Sequence, residues 1–502
     1  MSLFSRATVA LLAAVLTACG GGGGGGASPE LRLPTASVVV TAKTTGVAPS
    51  SSIYFSYGRT SGREVHATAV ATTTTGIART EVAIDDSGNG RLLIFFKDPD
   101  RIGPNTYSDQ VSLKLCYDTA CAEHLPGSPR VVDTRYTVTG SAAPEPAPAL
   151  PASAAPVDGG LLTATMLAMG DHNVVDAAYS TALEAIVMIS TLPTPALYVY
   201  DTAADTEAKL ALDQAPAALA LGSDGRTVAI LLAASETAVA KLVYAALPAS
   251  GVPGTLTTAS TTLVPASDLL LEDNRVAHLL PGSIGSLTQG FITSIDLETK
   301  AVQASNFDVP VQLTGALHPA GQAIYAIPPL PSTGDIVKFE VNERGTLRLY
   351  ESGDGGVHPG CGRLWLSADG SRIYTACSAV FRASEYRKND LTHMGNVMLF
   401  GPTGGIQSLS ESVPASEIAI AEISNESCYR APFAECSSRL NFYDRDTVAA
   451  AGSFAIPDNG IAGFVFHDGS GDNLYIIARR YNDPLAPDLG PDNLLLKFNR
   501  GG

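Results

Sequence analysis

From residue 157 to the end of the chain one pattern returns: an apolar strand, a tight turn, a second apolar strand, a loop, then a third strand. The turn shows as Ser223-Asp224-Gly225, His318-Pro319-Ala320-Gly321, Ala368-Asp369-Gly370 and Asp468-Gly469, with weaker forms near Thr181, Asn274 and Ser424. The third strand shows as Leu197 to Asp201, Lys241 to Tyr244, Phe291 to Asp296, Asp335 to Glu340, Asn396 to Phe400, Leu440 to Asp444 and Leu494 to Asn499. Seven units in about 345 residues give a period of about 49.

The period is that of four-stranded propeller blades. Tyr198-Val199-Tyr200-Asp201-Thr202, and the run from Ala217 through Asp224-Gly225 to Ile230, resemble the repeats of YVTN-type seven-bladed propellers, which occur in surface-layer and exported bacterial proteins. The resemblance covers residues 157–502 and implies a seven-bladed β-propeller. Leu161 to Met169 would then close the ring by completing the last blade. His318-Pro319-Ala320-Gly321 is faintly similar to a turn of the propeller lactonases, but that family's catalytic constellation has no counterpart here. Pyrroloquinoline-quinone propellers carry repeated tryptophan motifs, and this chain has one Trp, Trp365, which reads as core.

Residues 31–140 read as a β-sandwich. Val38 to Val40, Ser52 to Tyr57, Leu92 to Phe96, Val111 to Tyr117 and Thr134 to Val138 are short β-rich runs between Thr, Gly, Asp and Ser clusters. Val111, Leu113 and Leu115 alternate with Ser112 and Lys114, as on a strand with one buried face. Leu115 to Gly140 resembles the closing hairpin of bacterial immunoglobulin-like modules, which implies a spacer role. Residues 141–156 hold Pro144, Pro146, Pro148, Pro151 and Pro156 among alanines, a composition that favours extended polyproline II. The fold class expected is all-β: an Ig-like sandwich, a Pro/Ala linker and a seven-bladed propeller.

The N-terminus has the form of a signal peptide over residues 1–18, with Arg6 before the apolar run Ala7 to Val15. Leu16-Thr17-Ala18-Cys19 resembles the bacterial lipobox, which implies lipidation of Cys19, palmitate included, and anchoring in a membrane. Gly20 to Gly26 follows as a flexible tether within residues 19–30, and the absence of an acidic residue after Cys19 implies the outer membrane.

Of the seven cysteines, six remain after Cys19, and six allow 15 pairings. Their close spacing favours Cys116 with Cys121, Cys361 with Cys377, and Cys428 with Cys436, in an oxidising compartment. Cys361 and Cys377 are equidistant from Asp369, so they should face each other across a hairpin. No pair has zinc-site spacing, and no metal is expected there. Asp468, Asp472 and Asn473 offer oxygen ligands of the kind calcium takes, although an Asp/Gly turn needs no ion; no cofactor is expected. The net charge of −17 excludes sequence-independent nucleic-acid binding.

Ser378 to Met394, Ser424 to Ser438 and Arg479 to Asn493 read as long charged loops between second and third strands. Each sets a tyrosine beside an arginine: Tyr386-Arg387, Tyr429-Arg430 and Arg480-Tyr481. Arg382, Lys388 and Arg479 add cations, and His358 is expected on the same face. Arginine forks take carboxylate or phosphate, and tyrosine offers a stacking face, so these residues form a candidate site for an anionic or sugar-like ligand. The competing reading pairs the arginines with Glu385, Asp390, Glu426, Glu435, Asp483 and Asp488 to hold the loops together. His318 reads as structural. The function expected is a membrane-anchored binding or scaffold module of the cell envelope, with an unidentified protein or small-molecule partner. The alternatives are a lactonase- or lyase-like propeller enzyme and a purely structural envelope or adhesion protein.

Overall fold

The computed structural model describes residues 29–502 apart from 59, 61, 168, 235–239, 250, 262–265, 283–288, 306–307, 329–332, 343–344, 353–359, 402–403, 426–427, 429–435, 458–459, 480–492 and 500–502. Cys19 and the rest of the N-terminal segment lie outside the described residues. The protein is all-β. Two units divide between Ala143 and Pro144.

In the first unit two sheets close on one core. One sheet runs in the order Ser37–Lys43, Arg130–Thr139, Asn105–Cys116, His66–Ala71; the other runs Ser50–Ser56, Asn89–Phe96, Ile77–Ile84. The first strand pairs parallel to Arg130–Thr139, and the remaining pairs are antiparallel. Val111, Leu113 and Leu115 are buried together with Ile53, Phe55, Leu92 and Ile94. The alternation seen in the sequence is therefore the inward face of the longest strand. His66–Ala71 and Ile77–Ile84 lack a sequence signal because their residues are mostly small or polar.

Among the described residues of the second unit, seven sheets of four or five strands follow one another, besides two two-stranded ribbons, Gln289–Gly290 with Val309–Pro310 and Thr333–Gly334 with Gly360–Cys361. The first is Val174–Ser180, Ala185–Ser190, Ala196–Asp201, Thr206–Ala211. The second is Pro216–Leu221, Thr227–Leu232, Lys241–Ala246, Thr257–Ser260, and the third Ala266–Glu272, Val276–Pro281, Thr293–Asp296, Val302–Ala304. The fourth is Thr314–Leu317, Ala323–Ile327, Val337–Asn342, Gly345–Glu351, and the fifth Leu364–Leu366, Arg372–Thr375, Ala379–Arg382, His393–Asn396. The sixth is Gly405–Ser412, Glu417–Ile423, Ser438–Asp444, Ala450–Ala455, with Asp158–Leu161 added parallel to its outer edge. The seventh is Ile461–His467, Asn473–Arg479, Asn493–Asn499, and its fourth strand is Thr165–Leu167, from the start of the unit.

Apolar packing links these sheets in a cycle. Val187 and Ile189 of the first sheet share a cluster with Val228 and Ile230 of the second, whose Ala229 and Leu231 share the next with Leu269 and Leu279 of the third. Leu280 meets Ile324 and Phe339, Tyr325 meets Ile373 and Phe381, Tyr374 meets Ile418 and Ile420, and Ala419 and Phe442 meet Ile476. Tyr475 and Ile477 of the seventh sheet then join Ile186 and Met188 of the first. Second strands send alternate side chains to two neighbours, which is why Ala185–Ser190 and Glu417–Ile423 are buried at every position.

The turns between first and second strands fasten neighbouring sheets. Gly225 is left-handed at φ 65°, and its carbonyl accepts from Ser180 Oγ of the first sheet at 2.6 Å. Gly370, at φ 71°, accepts from His318 Nε2 of the fourth sheet at 3.1 Å, while His318 Nδ1 accepts from the Ala320 amide. His318 is thus a fastening between two turns. In the last turn the left-handed residue is Gly471, not Gly469; Asp468 Oδ1 accepts from its amide at 2.7 Å. The sixth sheet turns at Ser416, φ 51°, and Ser424 instead follows its second strand.

One unit differs from its sequence pattern. Its third strand is Ala379–Arg382, not Asn396 to Phe400, and His393–Asn396 is its fourth. Val397 to Phe400 is apolar enough to imitate a strand, but it is the passage to the sixth sheet, where Val397 packs beneath the strands.

All three disulfides pair as the spacing suggests: Cys116–Cys121, Cys361–Cys377 and Cys428–Cys436, with Cα–Cα distances of 5.0, 5.6 and 5.6 Å. The second departs from a simple hairpin. The first two strands of the fifth sheet pair only from Leu364 opposite Thr375 to Leu366 opposite Ile373, and Cys361 belongs to a separate ribbon, Gly360–Cys361 with Thr333–Gly334. The bridge ties that ribbon to the sheet.

Candidate functional site

Connections of an antiparallel sheet alternate between its two ends. Residues 424–437 and 480–492 join second to third strands, as expected. Residues 383–392 join a third strand to a fourth and so leave from the end that carries the Asp-Gly turns. Tyr386, Arg387 and Lys388 are therefore not brought to the end of the sheets from which the other two loops emerge. Tyr429, Arg430, Arg480, Tyr481 and His358 lie outside the described residues. Arg479 is the last residue of a second strand.

The 383–392 connection is anchored by a carboxylate inside the protein. Asp390 Oδ2 accepts from Lys338 Nζ at 2.8 Å and from the Tyr350 hydroxyl at 2.8 Å, and Oδ1 accepts from the Ser384 amide at 2.8 Å and the Tyr325 hydroxyl at 3.0 Å. The Asp390 side chain is 0% exposed and that of Lys338 7%. Lys338 also donates to the Ser384 carbonyl at 2.6 Å, and its ammonium lies 5.2 Å and 5.7 Å from the Tyr325 and Tyr350 ring centroids. Burial first, then the Asp390 charge, push the Tyr325 hydroxyl far above its ordinary range. Arg387 lies over the Tyr350 ring at 5.0 Å. The loop is held by this buried pair, with Lys338 rather than an arginine as the partner of Asp390.

Arg382 donates to Thr392 Oγ1 at 2.9 Å and to the Ala147 carbonyl. Burial lowers its pKa, and no carboxylate within the described residues forms an ion pair with it. Its neighbour Asn389 donates from Nδ2 to the Pro144 carbonyl at 3.0 Å, and the Leu150 amide donates to the Met394 carbonyl at 2.8 Å. The segment Pro144 to Pro151 thus lies along the fifth sheet, over a space of about 420 Å³ floored by Ser371, Arg372, Arg382, Ser384 and Asn389.

Elsewhere Asp468 turns its carboxylate onto its own turn: Ser470 Oγ and the Gly471 amide donate to Oδ1, and Asn473 Nδ2 to Oδ2. His124 Nδ1 comes within 3.8 Å of Cys116 Sγ, but that sulfur is bonded to Cys121 and is no thiolate.

A second charged group has no signal in the sequence. Asp176 and Asp268 occupy matching positions on the first strands of the first and third sheets, each next to a β-bulge. Each Oδ1 accepts from the following amide, and each Oδ2 crosses to the next sheet, to the Leu219 and Gly315 amides respectively, all at 2.9 Å. Arg363, just before the fifth sheet, acts electrostatically on both. Burial raises both pKa values, that of Asp268 to about 6, where the Asp176 charge adds to the effect. The folded chain therefore holds the Asp268 proton more tightly than the unfolded chain, whose carboxyl titrates near 3.8. The associated stability is present below that range and is lost as pH rises through about 6. Two pKa units correspond to about 3 kcal/mol at most. Thermal melts of the full chain between pH 4 and 8 should show a steeper loss for the native sequence than for Asp268→Asn; equal slopes would refute the assignment.

No protein-family model and no curated protein matches the chain. Among solved structures, the chain is similar to the β-propeller domain of Myceliophteria thermophila Cps50 (Swd1), with 10% identity and a TM-score of 0.48, covering 67% of this chain and 99% of that one.

Proposed function

We propose that this chain is an exported lipoprotein of the outer membrane, anchored through lipid on Cys19, whose Ig-like sandwich and seven-bladed β-propeller serve as a binding or scaffold module of the cell envelope. The observation that carries the propeller reading is the cycle of apolar clusters, each shared by two consecutive sheets, with the seventh sheet returning to the first. The pairing of Thr165–Leu167, near the unit's start, with Asn493–Asn499 at its end supports ring closure, an early strand completing the last blade. The three disulfides agree with export to an oxidising compartment. The glycine run after Cys19 is the tether such an anchor needs. Tyr429, Arg430, Arg480 and Tyr481 belong to connections between second and third strands and form the partner-binding face in this reading, for a protein or an anionic ligand.

Anchoring is tested in a bacterial host fed labelled palmitate. The full chain should take up label and fractionate with the outer membrane, and Cys19→Ser should do neither. An unlabelled, soluble native chain would overturn the proposal.

A further inference from the structure

Proline has no amide hydrogen, so a proline-rich segment presents carbonyls and little else to a partner. Pro144 to Pro151 is recognised accordingly. Asn389 Nδ2 donates to the Pro144 carbonyl at 3.0 Å, and the Arg382 guanidinium donates to the Ala147 carbonyl. Three residues further on, the Leu150 amide donates to the Met394 carbonyl at 2.8 Å, and the Leu150 side chain packs with the cluster of Tyr374, Val380, Met394 and Ile406. Contacts at 144, 147 and 150 have the three-residue period of a polyproline II helix, so they fall on one of its faces. The groove is shaped to admit the leucine: a Cβ on Gly395 would stand 3.2 Å from that of Leu150. Arg382, half-buried, donates to this backbone carbonyl and to the Thr392 hydroxyl.

The hold is shallow. Pro144 to Ala149 remain exposed, and Leu150 alone is half-buried. A segment fixed by three hydrogen bonds and one side chain, each worth about 1 kcal/mol net, stays in place largely because it is covalently attached.

We propose that the groove of Arg382, Asn389, Met394 and Gly395 is a docking site for an extended proline-rich peptide with a leucine three residues after the second recognised carbonyl. The chain's own linker occupies it in cis and must leave before a proline-rich partner enters. The proposal is independent of lipid anchoring.

The test uses a fluorescent peptide of residues 143–152 and the full chain with Pro144, Pro146, Pro148, Leu150 and Pro151 all changed to glycine. The peptide should bind this variant saturably and about tenfold more tightly than the native chain, where the attached segment competes at millimolar effective concentration. Adding Arg382→Ala and Asn389→Ala should abolish binding, as should a peptide with glycine in place of the leucine. No saturable binding to the glycine variant, or binding indifferent to Asn389→Ala, would overturn the proposal. A second measurement needs no altered linker: amide exchange at Leu150 should speed up about tenfold when the unlabelled peptide saturates the native chain. Unchanged exchange under saturation would count equally against it.

Discussion

Replacing Asp390 by alanine should lower the unfolding free energy of the full chain by about 3–5 kcal/mol, the usual cost of leaving one member of a buried ion pair alone. Without the carboxylate, the Lys338 ammonium and the Tyr325 and Tyr350 hydroxyls lose their common acceptor inside the protein. Lys338→Met should cost less, because Asp390 would keep the two tyrosines and the Ser384 amide as donors. The double variant should cost less than the two single changes added together, since removing both charges leaves neither unpaired. Denaturant melts of the native chain and the three variants make the comparison. A loss below about 1 kcal/mol for Asp390→Ala would mean the pair is wet, as surface pairs are.

The strands that are legible in the sequence are those whose burial leaves no choice of residue. Second strands such as Ala185–Ser190 and Thr227–Leu232 pack on two neighbours and are apolar almost throughout. The turns are legible where a left-handed glycine follows an aspartate, as at Asp224-Gly225, whose carboxylate accepts from the Arg226 and Thr227 amides at 2.8 Å. Legibility fails in the fifth unit because Ala379–Arg382 is only four residues long and Val397 to Phe400 is equally apolar. That one shift of strand moves Tyr386, Arg387 and Lys388 to the opposite end of the sheet. Arg382 is legible as a cation, but its partner, a carbonyl far away in the chain, leaves no local trace. Asp176 and Asp268 are invisible for the same reason: an aspartate in a strand reads as polar and outward-facing, and only the arrangement of inner strands brings Arg363 into their field.

The proposed ring closure carries the second large effect. Thr165 lies opposite Lys497 on the antiparallel pair that joins the start of the second unit to its end. Directly opposed residues on such a pair hold their Cα atoms about 4.5–5.5 Å apart, within the range a disulfide spans. A bridge there would enclose on the order of 300 residues and raise stability by up to about 5 kcal/mol by loss of chain entropy, with engineered bridges commonly delivering less. The decisive measurement is mild oxidation of the full chain carrying Thr165→Cys and Lys497→Cys, followed by peptide mapping without reduction and by a thermal melt. The proposed closed ring predicts an intramolecular 165–497 linkage in most molecules and a higher melting temperature than in the reduced form. Free thiols at both positions after oxidation, or a linkage found only between two chains, would contradict it.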